Sequence, residues 1–425
     1  MRRRVVITGM GCVTPLGHDV ETLWQALLQG KSGISKTEIF DASTFPSTFS
    51  AQVKNYRMPE HLAKRHEHAG RHTSFALGAA EQAWKQSGLG ESKAYNPDRT
   101  GIYMGSGEGN LDFDNFTSML IDAWKDGKLD TAQWGKLAFE RLSLHREQEQ
   151  EANMVVAHLA AEFGIRGPAF NVLTACAAST QAIGEATMIL RRGDADVVMA
   201  GGAHSMIHPY GVTGFSRLTA LSRNNDDIPG ASRPFDLTRD GFVLGEGSSV
   251  LILEEFESAK KRGAKMLAEI VGYGSSADAF RITDQDPDGA GAASGMNAAL
   301  ADAGIGPGEV DYISAHGTGT KQNDQVETRG MIAVFGPEMK IPISSIKSMV
   351  GHLIAAAGAT ELVSCVLAIR DQIVPPTANR NTPDPECPLD YVPLVARKAK
   401  VETCMKNSFG FGGQNDSLIV RRVRE

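Results

Sequence analysis

One cysteine, two histidines and one lysine stand in segments whose small neighbours would let them meet a substrate. Cys176 lies in "NVLTACAAST", Asn171 to Thr180, where an apolar strand-like run gives way to a helix-like one. The following helix, "STQAIGEATMILRRG", offers unpaired backbone N–H groups and a positive dipole end, which stabilise a thiolate. Ala175, Ala177 and Ala178 permit a tight turn and leave room for a ligand. Taken alone, Cys176 also fits an inert buried thiol, the commoner fate of a free cysteine. "AHGTGTKQND" sets His316 after a strand in a glycine and threonine loop, and "IKSMVGHLIAAAGATE" sets Lys347 and His352 five residues apart before a small-residue helix. A cysteine hydrolase needs only a cysteine and a histidine, which would leave Lys347 and the second histidine unexplained.

The elements that must position these groups alternate. Apolar strand signals at "RRVVITGMG", "TGIYMGSG", "AFNVLTAC", "ADVVMAGG" and "SSVLILEEF" are separated by amphipathic helix patterns. After Arg262 a second series runs through "AEIVGYG", "VDYISAHGTGT", "IPISSIKSMVGHL" and "KNSFGFGGQNDSLIVRR". The alternation predicts an α/β fold with a buried sheet. "NVLTACAASTQAIGEA" echoes "ISSIKSMVGHLIAAAGA" as strand, turn and small-residue helix, so the chain reads as a duplicated α/β unit with its halves at 1–260 and 261–425. Such a duplication would bring two C-terminal strand ends to one pseudo-twofold axis, where ligands bind in open sheets. The irregular stretch from Gly107 to Glu151 reads as an insertion over the core.

The totals exclude other classes. A chain of 425 residues, 42% hydrophobic and 22% charged, is an ordinary globular composition. A formal net charge of -7 argues against nucleic acid as a partner. Val5 to Ile7 is too short for a secretory apolar core, and no run reaches the roughly 18 apolar residues of a membrane span. Cys12, Cys176, Cys365, Cys387 and Cys404 are odd in number and lack metal-ligand spacing, which predicts reduced thiols and a cytoplasmic setting, with no metal.

The motifs "TACAAS", "SRPFDLTRDGFVLGEGSS", "AHGTGT", "KSMVGHLIAAAGATE" and "NSFGFGG" occur in one order over nearly the whole chain. In this the sequence resembles the elongating β-ketoacyl-acyl carrier protein synthases of the thiolase-like superfamily. The resemblance implies a thiolase-like fold of duplicated αβαβα halves. It implies an acyltransferase that condenses an acyl group on Cys176 with a malonyl thioester, giving a 3-oxoacyl thioester in fatty-acid or related chain elongation, without a cofactor. His316 and His352 would hold the malonyl carbonyl and stabilise the enolate left by decarboxylation. Lys347, paired with Glu361, would tune their field. The backbone N–H groups of Cys176 and Phe411 would form an oxyanion hole, Phe411 would gate the site, and Thr318 and Thr320 would bond the pantetheine arm. The partners implied are an acyl carrier protein and a second copy of the chain in a homodimer. Lys64, Arg65 and Arg71 in "LAKRHEHAGRHTSF", with Arg223, correspond to the family's carrier-docking region, although His66, His68 and His72 dilute the charge.

Two departures from the family pattern bear on the acyl pocket. Glu108 in "GSGEGN", and Glu149, Gln150 and Glu151 in "HREQEQEANMV", stand where long-chain synthases carry apolar or small residues. A desolvated carboxylate costs several kcal/mol while a buried methylene gains roughly 0.8, so these acids imply short or polar acyl groups. Glu149 also fits a simpler role at a helix N-terminus. A polyketide-type ketosynthase shares all the motifs and remains the main alternative. A thiolase lacks support because "NSFGFGGQN" holds no second cysteine. An acetyl-coenzyme A-dependent initiating synthase would replace one histidine by asparagine, and a non-catalytic chain-length partner would lack Cys176.

Overall fold

The computed structural model describes residues 2–92, 95–107, 111–282 and 284–424. Along the chain run β1 (Val5–Val13), α1 (Arg71–Ser87), β2 (Thr100–Ser106), α2 (Met154–Phe163), β3 (Ala169–Val172), α3 (Ala178–Arg192), β4 (Val197–His204) and β5 (Gly247–Glu255). The same order of types then repeats as β6 (Ala268–Ala277), α4 (Ala290–Ala303), β7 (Tyr312–Ser314), α5 (Lys321–Phe335), β8 (Ile343–Ser344), α6 (Ala357–Asp371), β9 (Thr403–Gly410) and β10 (Gln414–Arg421).

The ten strands lie in the order β8-β7-β9-β10-β6-β1-β5-β4-β2-β3. In the first set β3, β2 and β4 are parallel and β5 and β1 antiparallel; in the second, β8, β7 and β9 are parallel and β10 and β6 antiparallel. The sets join where Val5 faces Ile270 and Ile7 faces Ala268. All nine residues of β1, "VVITGMGCV", are buried, so its near-continuous apolar run fits a strand covered on both faces. The segment "KNSFGFGGQNDSLIVRR" folds as two strands, β9 and β10, with its glycines at the hairpin turn.

Helices α3 and α6 form the middle layer, packed on each other and on strands of both sets. Helix α1 covers the outer face of the first set beside α2, and α4, with α5 against it, covers the second. Small residues allow the middle helices to approach. A Cβ on Gly358 would lie 2.1 Å from Thr180 Oγ1, and one on Gly202 would lie 2.6 Å from the Ala355 carbonyl oxygen. Burial of the Leu, Ile and Val side chains lining this layer contributes roughly 1.5–3 kcal/mol each.

Between β2 and α2 the chain forms helices Phe113–Asp122, Thr131–Arg141 and Leu144–Gln148 and a two-stranded ribbon. Met119, Ala123 and Leu137 give them a small core of their own. Among the described residues no helix is long and apolar enough to cross a membrane.

Candidate active site

Both middle helices begin at sharp elbows. Ala175 (φ 48°) leads into a short 3₁₀ turn and α3; Ile354 (φ 46°) leads in the same way into α6. A left-handed conformation at a non-glycine residue is costly and clusters at functional sites. The first elbow presents Cys176, and the second follows His352 directly. The loop after β7 carries His316, and the turn after β8 carries Lys347. Four segments far apart in sequence thus meet at one end of the middle layer.

The cluster is dry. Cys176 is 4% exposed, His316 2%, Lys347 1% and His352 fully buried. His352 Nε2 lies 3.1 Å from Cys176 Sγ. Lys347 Nζ donates to the His316 carbonyl oxygen at 2.6 Å, lies 3.4 Å from His316 Nδ1 and pairs with Glu361. Glu361 also lies 3.2 Å from Lys406 Nζ, which donates to Thr180 Oγ1 at 2.6 Å. One buried carboxylate therefore holds two buried ammonium groups, which supplies the pairing that buried charges require.

The neighbours set the tautomers. His352 Nδ1 accepts the Ile354 N–H at 3.2 Å, and His316 Nδ1 faces the Lys347 ammonium, which can only donate. Burial, and then Lys347, hold both imidazoles well below their ordinary range, so they are neutral. Each neutral ring then carries its proton on Nε2. Two N–H donors face the space beside the thiol, the arrangement that stabilises an oxyanion or enolate.

The ligand atoms of Cys176, His316 and His352 lie within 4.8 Å of one another, close enough to bridge a divalent cation. Ligation would need a lone pair on each Nε2 and hence a proton on each Nδ1. Both Nδ1 atoms face donors, so the set is wired to donate.

Burial pushes the Cys176 thiol up to about 11, opposed by Lys347 and by the Phe411 N–H. The start of α3 favours the thiolate that the sequence suggests. Desolvation outweighs it, and the resting group is a thiol. The Phe411 and Cys176 N–H groups both bond the sulfur, so two backbone donors stand beside the atom that would carry an acyl group.

The cysteine opens to a cleft of about 340 Å³ lined by Phe242, Thr318, Thr320, Lys321, Phe409 and Phe411. Phe411 is 38% exposed at its rim, in the hairpin turn completed by Gly412 (φ 94°) and Gly413 (φ 75°). The Thr318 and Thr320 hydroxyls lie 3.0 Å apart, and Thr320 also caps α5 by accepting the Asn323 N–H.

The other sequence-derived residues are dispersed. Lys64 is exposed on helix Glu60–Arg65 and Arg223 is exposed in a loop. Arg65 is bonded to the Ala161 carbonyl and to Glu162, and Arg71 is paired with the buried Glu246, so much of their charge is offset. Glu149 is buried and accepts N–H groups from Gly70 and His158, away from the cleft lining. Glu108 lies outside the described residues.

Sequence reasoning passed over three supporting groups. Glu327 accepts the His316 and Gly317 N–H groups, each at 2.8 Å, and so sets the histidine loop. Asp324 accepts from the Phe235 and Gly319 N–H groups and pairs with the buried Arg239. Lys406 completes the Glu361 pair. A lysine inside the apolar run before "NSFGFGG", and acids on the buried face of α5, were the available signals.

The chain matches the family model described as beta-ketoacyl synthase, N-terminal domain, over residues 2–259 and beta-ketoacyl synthase, C-terminal domain, over residues 267–381. It is 42% identical to the 3-oxoacyl-[acyl-carrier-protein] synthase 2 of Coxiella burnetii, covering 99% of each chain, and 41% identical to that of Vibrio harveyi, covering 100% of each. A solved type II PKS ketosynthase, in complex with its acyl-carrier protein and bound to the hexaketide, superposes with a TM-score of 0.88 at 35% identity over 100% of both chains. With the duplicated fold and the thiol–imidazole site already in place, these matches show that the chain belongs to the beta-ketoacyl synthase family.

Proposed function

We propose that the protein is a 3-oxoacyl-acyl carrier protein synthase, acting by decarboxylative Claisen condensation with Cys176 as the nucleophile. The supporting observation is the pair of Nε2–H donors beside a buried thiol. In the first half-reaction Cys176 sulfur bonds to the acyl carbon, the carrier's thiolate leaves, and the thiol proton goes to that carrier. The Cys176 and Phe411 N–H groups hold the carbonyl oxygen as it becomes anionic. In the second, the malonyl carbonyl oxygen sits against His316 and His352. The bond to the carboxylate breaks, carbon dioxide leaves, and the electron pair becomes an enolate held by both donors. The enolate carbon attacks the acyl carbon, and Cys176 leaves as the thiolate and takes up a proton from solvent. Every charge that develops in this sequence has a donor in the site.

The partners follow from the same reading. A carrier protein is acidic and docks where Lys64, Arg65 and Arg223 are exposed, with Lys321 and Phe411 at the cleft mouth. The relative seen with its carrier, and the names of the curated relatives, support a carrier partner; the placement of its docking surface rests on the exposed charges alone. Strand β3 is an edge of the sheet, with Phe170 and Leu173 exposed just before Cys176. A second copy of the chain pairing along it would protect that edge. The five buried free thiols suit a reducing cytoplasm.

With Glu149 bonded elsewhere, and neither Gln150 nor Glu151 among the residues lining the cleft, a preference for short or polar acyl groups now rests on Glu108. Fatty-acid elongation is favoured over the polyketide alternative by the curated relatives, which are more similar than the polyketide enzyme. Condensation rates on carrier thioesters of graded length, for the native chain and Glu108→Ile, test both points. Product 3-oxoacyl carrier with matching carbon dioxide release supports condensation; thioester hydrolysis alone would overturn it. Equal efficiency on the longest chains in both proteins would remove the short-chain preference.

A further inference from the structure

Beside the helix that carries Lys64 and Arg65, four side chains form a line that the condensation chemistry does not use. His66 Nε2 lies 2.9 Å from Glu162 Oε2, and His66 Nδ1 lies 2.8 Å from His158 Nδ1. His158 Nε2 lies 2.7 Å from Glu149 Oε1. The second Glu149 oxygen accepts the Gly70 N–H at 2.9 Å, and Glu162 is also 3.3 Å from the Arg65 guanidinium.

Counting protons fixes the state of this line. Each carboxylate can only accept, so each Nε2 must carry hydrogen. The contact between the two Nδ1 atoms needs one further proton, because two lone pairs at 2.8 Å repel. Three protons on four ring nitrogens make the pair a monocation, one imidazolium bonded to one imidazole. A neutral pair must give up either the nitrogen–nitrogen bond or a carboxylate contact.

The line ties four elements together: helix Glu60–Arg65, the start of α1 through Gly70, helix α2 and the last residues of the insertion. A second cavity lined by Leu62, Trp84, Tyr95, Glu162 and Phe163 borders the same helix. We infer that His66 and His158 are positioning residues for the carrier protein, their shared proton holding the Lys64 and Arg65 helix against α2. The inference rests on the docking reading above.

Charged and titratable groups surround the pair. They are Glu149, Glu162, Arg65 and His72, with the stacked His68 and His145 farther out. Although burial opposes ionisation, His158 and the Gly70 N–H hold the Glu149 carboxyl below its ordinary range. Burial lowers His72 to about 4, so it stays neutral.

The test measures the apparent KM for acyl carrier in the native chain and in His158→Gln, which cannot share the proton, alongside nitrogen NMR of histidine-labelled full-length protein. The expected result is a proton coupled to both Nδ1 atoms in the native chain and absent from His158→Gln, with the KM of the variant severalfold higher and kcat unchanged. No shared-proton signal in the native chain would overturn the latch. A signal lost in His158→Gln while KM stays constant would overturn its positioning role, provided that charge reversal at Lys64 and Arg65 still raises KM. If that reversal leaves KM unchanged, the docking reading itself fails.

Discussion

Replacing Lys347 by methionine removes one charge and keeps the length of the side chain. The ammonium is the donor that fixes the proton of His316 on Nε2, and it also bonds that residue's carbonyl oxygen at 2.6 Å. A hydrogen bond to a charged group is worth about 1.5–3 kcal/mol, which corresponds to roughly ten- to hundredfold in rate. Decarboxylation of malonyl carrier should fall by about that factor, up to the hundredfold or more expected for one lost oxyanion donor. Breaking a buried ion pair usually costs about 3–5 kcal/mol of stability, but Lys406 still holds Glu361, so the loss should fall at or below the lower end. The variant should also acquire a pH dependence. With Lys347 gone, one cause of the lowered His316 pKa is removed. As the pH falls the ring can take a second proton, which restores the Nε2 donor, so activity should recover on the acid side. Release of labelled carbon dioxide over a pH series, with thermal melts, checks this. Native decarboxylation by a folded Lys347→Met, at every pH, would refute the tautomer argument.

Other outcomes follow from the same contacts. His352→Ala should still accept an acyl group on Cys176, because the Phe411 N–H and the helix start remain, yet lose about a hundredfold or more in carbon dioxide release; adduct mass and gas release separate the two steps. Glu327→Gln should lower decarboxylation by about tenfold, since the amide turns one of two acceptors for the histidine loop into a donor. Burial raises Glu327 to about 7, so its contribution to stability is present at acid pH and is lost as the pH rises through that value; melts of Glu327→Gln should lack this slope. Charge reversal at Lys64 and Arg65 should raise the carrier KM in a salt-sensitive way, and an unchanged, salt-insensitive value would dismiss that surface.

The proposed reacting groups were legible because they stand in unusual local sequence. The middle helices approach each other closely only through small residues, so Cys176 and His352 stood out beside alanine- and glycine-rich turns, and the echo of the halves followed from the same constraint. Burial was less visible. Whether a carboxylate faces a ligand or a backbone N–H depends on partners distant in sequence, and Glu149, bonded to Gly70 and His158, shows how a charge in the expected region can serve another element. Arg71 is similar, since its partner Glu246 lies far along the chain. The thiol misled for a related reason: a helix start can be read from sequence, but the desolvation that opposes it arises only when four segments close over the sulfur.

The most direct measurement is the mass of the native protein and of Cys176→Ala after incubation with an acyl carrier thioester. The native chain should gain the acyl mass on the peptide that contains Cys176, and the alanine variant, folded because its position is small and flanked by alanines, should gain none. An undiminished adduct on Cys176→Ala would contradict the assignment of Cys176 as the nucleophile.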